Sequence, residues 1–465
     1  MSEVPSTEEA KERRVHLRLL CGAAILHLVL SVTVYGLGRY ALLPATFDNN
    51  GVAVAFASDG VRYRADAAAL SEALTRGEIR YWFGANHPFH VKLYSVCFAL
   101  FGPLIGYNIV GAEPLNALFY LASLVLVFSI GREVFNRRAG LLAAGAVALW
   151  PSFLLHTTQF LKDPLFVAEM LALILLIVRW LTRTYSWSGA LLTGAAGGLV
   201  ATALCLTRTD MGEMLVATVL LGALMLVARQ LWERRVRATN LVGMALVVAV
   251  TLTVPQLMPN ALELGRSPSA ARMLIRQETL RVATAEEATP ATSEEASRAH
   301  LWSRMAARVG KVRRRFIEMY PNSGSNVDPD VQFNSMADLL RYLPRAAMVG
   351  FFAPFPNMWL ASGTQVGSAG RLLGGVESLA MYAVEALALL GLWRGRRRLS
   401  AWFLWSVAAM GMIALGLVVI NVGTLFRLRY VFLMLLIIPA AEGAAYILDR
   451  LSKKTLEVAE RGGTG

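Results

Sequence analysis

Long apolar runs recur along this chain, and several hold no charge at all. Ala139–Thr157, Ser188–Leu206, Asn240–Pro259 and Ala401–Ile420 each approach or exceed the roughly eighteen apolar residues that suggest a membrane crossing. A backbone in hydrocarbon must satisfy its own hydrogen bonds, so these runs are expected as helices and not strands. Short arginine-rich loops lie between them: Arg132–Arg138, Arg179–Arg183, Arg229–Arg237, Arg394–Arg398 and the tail Arg450–Lys454. With Lys11–Arg14, these mark the cytoplasmic side by the positive-inside rule. Spans then fall at 17–37, near 108–130, and at 139–157, 164–181, 188–206, 212–228, 240–259, 374–393, 400–420 and 430–448. Residues 91–130 are long enough for two crossings, but the charges on either side permit only an odd number. Gly102-Pro103 is expected to break the first part into an interfacial or re-entrant piece.

The fold class is therefore an all-α polytopic membrane protein of about 10–12 transmembrane helices, the number of spans within 91–130 and 345–373 being left open by the pattern. Three modules are expected: an N-terminal transmembrane module 1–259 containing a long first extracytoplasmic loop 38–90, an extracytoplasmic insert 260–344, and a C-terminal transmembrane module 345–465. Within the insert, Ala283–Ala296 reads as a polar loop. Leu301, Met305, Val309, Val312 and Phe316 then recur at helical spacing, with Arg304, Arg308, Lys311 and Arg315 off that face. That pattern fits an amphipathic helix on a membrane surface, or equally a solvated helix with a charge run. No internal repeat is visible, which weighs against a transporter built from inverted halves.

Composition agrees: 56% of the residues are hydrophobic and the mean hydropathy is +0.50, above the usual soluble range. The net charge of +13 would point to nucleic acid in a soluble protein. Here most of the excess sits in the short loops, so no nucleic-acid partner is expected. Cys21, Cys97 and Cys205 lie far apart in apolar runs and offer neither a disulfide framework nor metal-ligand spacing. The first apolar run follows mixed charges without a clear cleavage site and reads as an uncleaved span.

Charge placement on the opposite side is the informative exception. Those loops should be poor in Lys and Arg, yet they hold Lys162-Asp163, Arg208 with Asp210, and Arg427 with Arg429. The first long loop adds Asp59, Arg62, His87 and Lys92. Cations kept where topology disfavours them suit an anionic ligand, and a phosphate gains most from the planar fork of Arg. Any one of them could instead be a helix-end anchor. Asp59 could be only an N-cap, and Asp163 before Pro164 only the cap of the next span. A fixed carboxylate at a low-dielectric boundary is also a plausible general base. His87, being lone, is more often structural than chemical. Glu169, Glu377, Glu385 and Glu442 fall inside apolar runs without evident basic partners in the spans and are assigned no chemistry.

Ser58-Asp59-Gly60 followed by Tyr63 and Leu70–Gly77, then His87-Pro88, then Gln159-Phe160-Leu161-Lys162-Asp163-Pro164, resembles the polytopic GT-C glycosyltransferases. The nearest branch is that of protein O-mannosyltransferases and aminoarabinose transferases, glycosyltransferase family 39-like. The resemblance covers about residues 15–210, and Arg427-x-Arg429-Tyr430 is similar to a basic element near that family's last spans. It implies transfer of a sugar from a polyprenyl-phosphate donor on the non-cytoplasmic face. It places the acceptor base on Asp59 and an orienting acid on Asp163. Lys162, Arg208, Arg427 and Arg429 would hold the lipid phosphate, with His87 and Asp210 as further substrate contacts. The first loop shows one acid at the motif instead of a pair, so neither a metal nor another cofactor is expected. Expected partners are the lipid-linked donor, membrane lipids and an acceptor that is lipid, protein or polysaccharide; the expected location is a cell membrane, most simply a bacterial inner membrane. A flippase of lipid-linked sugars and a non-catalytic subunit of a polysaccharide assembly system remain alternatives.

Overall fold

The computed structural model describes residues 7–42, 59–257, 294–319, 323–360 and 367–462. The described chain is helical apart from one isolated bridge between Asn326 and Asn421. In chain order the helices are α1 (Thr7–Arg39), α2 (Asp59–Thr75), α3 (Ile79–Gly84), α4 (Phe89–Ile105), α5 (Glu113–Val134), α6 (Arg137–Ala148), α7 (Pro151–Thr157), α8 (Asp163–Thr182) and α9 (Trp187–Thr207). They continue as α10 (Gly212–Glu233), α11 (Ala238–Leu257), α12 (Glu294–Met319), α13 (Met336–Phe352), α14 (Gly367–Arg394), α15 (Leu399–Val418), α16 (Val422–Leu428) and α17 (Tyr430–Gly462).

Nine of the described helices are long and apolar enough to cross a membrane. A tenth span forms if α6 and α7 are counted together, although the pair bends by 67° before Pro151. This is a multi-pass membrane protein. The ambiguous stretch 91–130 resolves into the short apolar α4, with Pro103 inside its last turn, and one full span, α5.

Charge sorts the two ends of the bundle. At one end the arginine-rich loops bind one another's helices. Arg183 pairs with Glu133, Arg138 meets Asp449 at 2.5 Å, and Arg398 donates to the Phe135 carbonyl at 2.9 Å. Asn136 and Arg394 both reach Glu442, at 2.9 and 3.4 Å, so that acid does have a cationic partner. The Arg loops thus share one face, the grouping that the positive-inside rule leads one to expect. The loops carrying Asp59, Lys162, Arg208 and Arg427 meet at the other end.

The described part of the 260–344 segment, from residue 294 onward, docks at that second end. The segment after α12 runs beside the loop before α16, with Val327 N donating to Ile420 O at 2.9 Å. Of α12, Ala306, Gly310 and Arg313 turn inward, while Met305 and Val312 stay exposed. The apolar stripe is thus divided, with Met305 and Val312 outward and Phe316 packed against the core, and a buried arginine anchors the inner side of α12. Arg313 donates to the carbonyls of Val331, Leu417 and Asp328 at 3.0, 2.8 and 2.6 Å. Most of the Ala283–Ala296 stretch lies outside the described residues.

Apolar helices in lipid gain little from burying more apolar surface, so close backbone approach through small residues does much of the packing. A Cβ built on Gly391 would sit 1.8 Å from the Pro439 carbonyl oxygen, and one on Gly443 2.3 Å from that of Leu387. These two glycines let α14 and α17 touch. Gly391→Ala is therefore expected to cost about 1–3 kcal/mol by overpacking and lower the melting temperature in detergent. Gly145→Ala, with nothing within 4 Å of the added Cβ, should leave it unchanged. Equal melting of both variants would contradict this packing.

Candidate functional site

The first acid is positioned by helix periodicity. Asp59, Tyr63, Ala67 and Leu70 follow at four-, four- and three-residue steps on α2, so they share one face. Ala67 and Leu70 pack into a buried cluster with Val91, Tyr94, Phe98 and Phe160. That docking brings Asp59, the first residue of α2, over the end of the bundle.

The partner comes from the other end of the chain. Asn421 caps α16 by accepting from Thr424 N at 3.0 Å. Within this short helix Arg427 turns toward α2, and its two terminal nitrogens lie 3.3 and 3.4 Å from the same Asp59 oxygen, Oδ2. Because α16 is helical, residues two apart point about 200° from each other. Arg429 consequently turns inward. It is 1% exposed, donates to the Ala353 carbonyl at 2.5 Å and lies over the Phe426 ring at 4.1 Å. Glu377 and Glu385, acids from α14, act on its charge. The structure therefore separates Arg429 from Arg427 and makes it part of the protein interior.

A second cluster sits beside the first. Asp163 opens α8, and Lys162 precedes it without a side-chain cap. Arg208 Nη2 donates to Asp163 Oδ1 at 2.7 Å, and both side chains are about 95% buried, at 4% and 5% exposure. Arg208 Nη1 is 3.8 Å and Lys162 Nζ 3.6 Å from Asp210. Asp163 is thus held by an arginine from the next loop, beyond any capping role. The two clusters converge on Tyr63: Asp59, Asp163, Arg208 and Arg427 all act on its phenol, which burial first and the two carboxylates next push above the ordinary range. Arg427 also acts on Asp163.

His87 stands to one side, its Nδ1 3.8 Å from Asp66, which also faces Arg62 at 3.7 Å. Burial pushes the His87 imidazole below its ordinary value, against the pull of Asp66, so it is neutral near pH 7. Among the described residues, no three His, Cys, Asp or Glu side chains gather in a way that could hold a metal ion.

Several residues of this end escape a pattern-based reading. Tyr63 belongs to the motif, but nothing in its spacing shows that the charges of two acids act on it. Glu377 accepts from Trp150 Nε1, Ser152 Oγ and, at 3.1 Å, Ser152 N. Tyr430 Oη and the Ser152 carbonyl both lie within hydrogen-bond distance of His156 Nδ1, at 2.8 and 2.7 Å. This network locks α7, α14 and α17 beneath the two clusters. A lone Glu in an apolar run was its only visible signal.

The described chain is thus an all-helical, polytopic membrane bundle whose helical first loop meets a basic residue before the last span. Over residues 86–258 the sequence matches the family described as dolichyl-phosphate-mannose-protein mannosyltransferase. That stretch includes His87, Lys162, Asp163, Arg208 and Asp210, and excludes Asp59, Arg427 and Arg429. Among solved structures, the chain is similar to the archaeal oligosaccharyltransferase AglB from Archaeoglobus fulgidus in complex with an inhibitory peptide and a dolichol-phosphate. The TM-score is 0.51 at 15% identity, over 95% of this chain and 52% of that one. The apo form of the Archaeoglobus fulgidus oligosaccharyltransferase is similar at a TM-score of 0.50 and 13% identity, over 95% of this chain and 52% of that one. Likeness at such identity is one of fold, and the chain spans about half the length of these archaeal structures. No curated protein matches the sequence.

The buried Asp163–Arg208 pair carries a direct expectation. Removing one partner of a buried ion pair strands the other charge and costs about 3–5 kcal/mol. Asp163→Leu and Arg208→Leu should each lower the melting temperature sharply. The double variant, which strands neither, should melt above both singles. A double variant that melts below both would show that the pair is not coupled.

Proposed function

We propose that the chain is a membrane glycosyltransferase that moves a sugar from a polyprenyl-phosphate-linked donor to a lipid, protein or polysaccharide acceptor. The transfer takes place at the Asp59–Arg427 end, on the non-cytoplasmic face of a bacterial cytoplasmic membrane. The observation that carries this reading is the meeting of Asp59 and Arg427, 368 residues apart in sequence, beside the buried Asp163–Arg208 pair. The description of the matched family and the fold shared with a dolichol-phosphate-bound structure support it. Charges gathered at one end, away from the bilayer middle, suit an enzyme drawing its donor sideways from the membrane better than a transporter.

Exposure divides the labour between the acids. The Asp59 side chain is 55% exposed and that of Asp163 5%. Asp59 can therefore reach an acceptor, while Asp163 is committed to Arg208, and Lys162 faces Asp210. The Asp59–Arg427 contact is long beside the about 2.7–2.9 Å of a tight charge-assisted pair, and both guanidinium nitrogens share one carboxylate oxygen. An arriving phosphate can take Arg427 and release Asp59. Asp59 then accepts the acceptor's proton as its oxygen or nitrogen attacks the anomeric carbon. The bond from that carbon to the phosphate oxygen breaks, and the oxygen leaves with the electron pair. The charge that grows on the leaving phosphate is met by Arg427, with Lys162 nearby.

Asp59→Asn is expected to lower kcat by about 10²–10⁴, the usual contribution of a general base, without weakening donor binding. Arg427→Ala removes one charge-assisted contact, about 1.5–3 kcal/mol, and should raise KM for the lipid donor by roughly 10–150-fold. Steady-state kinetics with a polyprenyl-phosphate sugar separates the two. If neither variant changes turnover or donor dependence, transfer does not occur at this site.

Arginine and lysine supply the charge that a divalent ion would otherwise bring to the phosphate. Transfer should therefore survive exhaustive chelation. A rate that vanishes with chelator and returns only with added Mg²⁺ or Mn²⁺ would overturn this part of the reading.

A further inference from the structure

At the opposite end of the bundle lies a cavity of about 550 Å³, bounded by the ends of α5, α8 and α10 and by the start of α15. Its walls combine apolar side chains, among them Val134, Leu181 and Leu399, with Arg229, Arg397 and Arg398. Two acids, Glu133 and Glu233, also line it, so the charges have to be matched one by one. Glu133 is taken by Arg183, whose Nε donates to it at 2.8 Å, and by the Thr182 hydroxyl at 2.7 Å. Glu233 is shared by Arg229 at 2.7 Å and Arg237 at 3.1 Å. Among the described residues, the Arg398 guanidinium donates only to the neutral carbonyls of Val134 and Phe135. Arg397 is exposed and forms no hydrogen bond or ion pair among the described residues. Two guanidinium charges, those of Arg397 and Arg398, are left uncompensated at one wall.

The surroundings indicate where the missing anion comes from. Trp232, which lines the cavity, is 91% exposed, and its neighbour Leu231 is 71% exposed. Both sit in the last turn of a membrane span, where a Trp marks the depth of the lipid headgroups. A ligand seated here would meet both apolar side chains and arginine forks, the two kinds of contact a glycerophosphate with its acyl chains offers. We propose that this cavity is a binding site for a phosphate anion, filled in the membrane by the headgroup of an anionic phospholipid. The site is separate from the Asp59–Arg427 end, and its existence does not depend on the glycosyl-transfer reading. Basic pockets between spans on the cytoplasmic side suit such headgroups.

The test uses the purified full-length chain in detergent, with thermal protection titrated against phosphatidylglycerol, phosphatidylcholine and, separately, inorganic phosphate. Phosphatidylglycerol should protect the wild type selectively. Arg397→Glu, which removes one cation and adds an anion, should weaken that protection by more than the about fivefold expected for the loss of a single charge near an anionic lipid. Arg396→Glu, an exposed change in the same loop outside the cavity, should not. Protection by inorganic phosphate alone, lost in Arg397→Glu, would keep the anion site and make a soluble phosphate its source. Equal protection by phosphatidylcholine and phosphatidylglycerol, or equal losses in the two variants, would overturn the proposal. If Arg397→Glu does not yield folded protein, Arg397→Gln is read against Arg396→Gln by the same criterion.

Discussion

A charge at the edge of a hydrocarbon phase is costly unless an opposite charge or a hydrogen-bond partner meets it. At the Asp59 end this chain answers that constraint in two unlike ways. Asp163 and Arg208 meet at 2.7 Å, nearly out of contact with solvent, and form a fixed element of the fold. Asp59 and Arg427 meet at 3.3 Å, with the acid half exposed, and form a contact that can be exchanged. The tight pair gives the end its shape, and the loose pair gives it something to do. Tyr63 stands where the fields of both overlap.

The rest of the bundle holds those two pairs in register. His27 of α1 lies 2.6 Å from Glu113 of α5 and 3.0 Å from the Thr157 hydroxyl of α7, which joins the first span to the loop that carries Lys162 and Asp163. Arg429, turned inward by the pitch of α16, ties that helix to the end of α13 through the Ala353 carbonyl. Arg427 therefore does not stand on a free loop. Its position is set by a buried arginine two residues away, by the Asn421 cap, and by the strand-like contact of Val327 with Ile420.

Periodicity and charge made most of the helical layout legible beforehand. The apolar runs mark nearly every span because lipid forbids the alternatives, and the arginine loops mark one end because translocation disfavours them. The early end of α4 could be read only approximately: Pro103, which has no N–H to give, lies inside its last turn, and the helix ends at Ile105 before Gly106. The bend of α6 against α7 could not, since Pro151 opens α7 at a position where proline is ordinary. The charged residues of the short loops could be listed as candidates, but not paired. Nothing in spacing says that Asp163 takes Arg208 while Asp59 takes Arg427. The separation of Arg427 from Arg429 turned on whether seven residues form a helix, which a stretch of mixed residues leaves open. The stripe on α12 was visible, but Arg313 at its buried side was not, because a buried arginine satisfied by carbonyls has no pattern of its own.

The central claim is that a lipid-linked phosphate docks at the end where Asp59 meets Arg427. A cryo-electron microscopy structure of the full chain with a polyprenyl-phosphate tests it most directly. The account predicts phosphate density within about 3 Å of the Arg427 guanidinium, a hydrogen-bonding distance, with Asp59 no longer bound to it. Phosphate density elsewhere, with the Asp59–Arg427 contact intact, would contradict it.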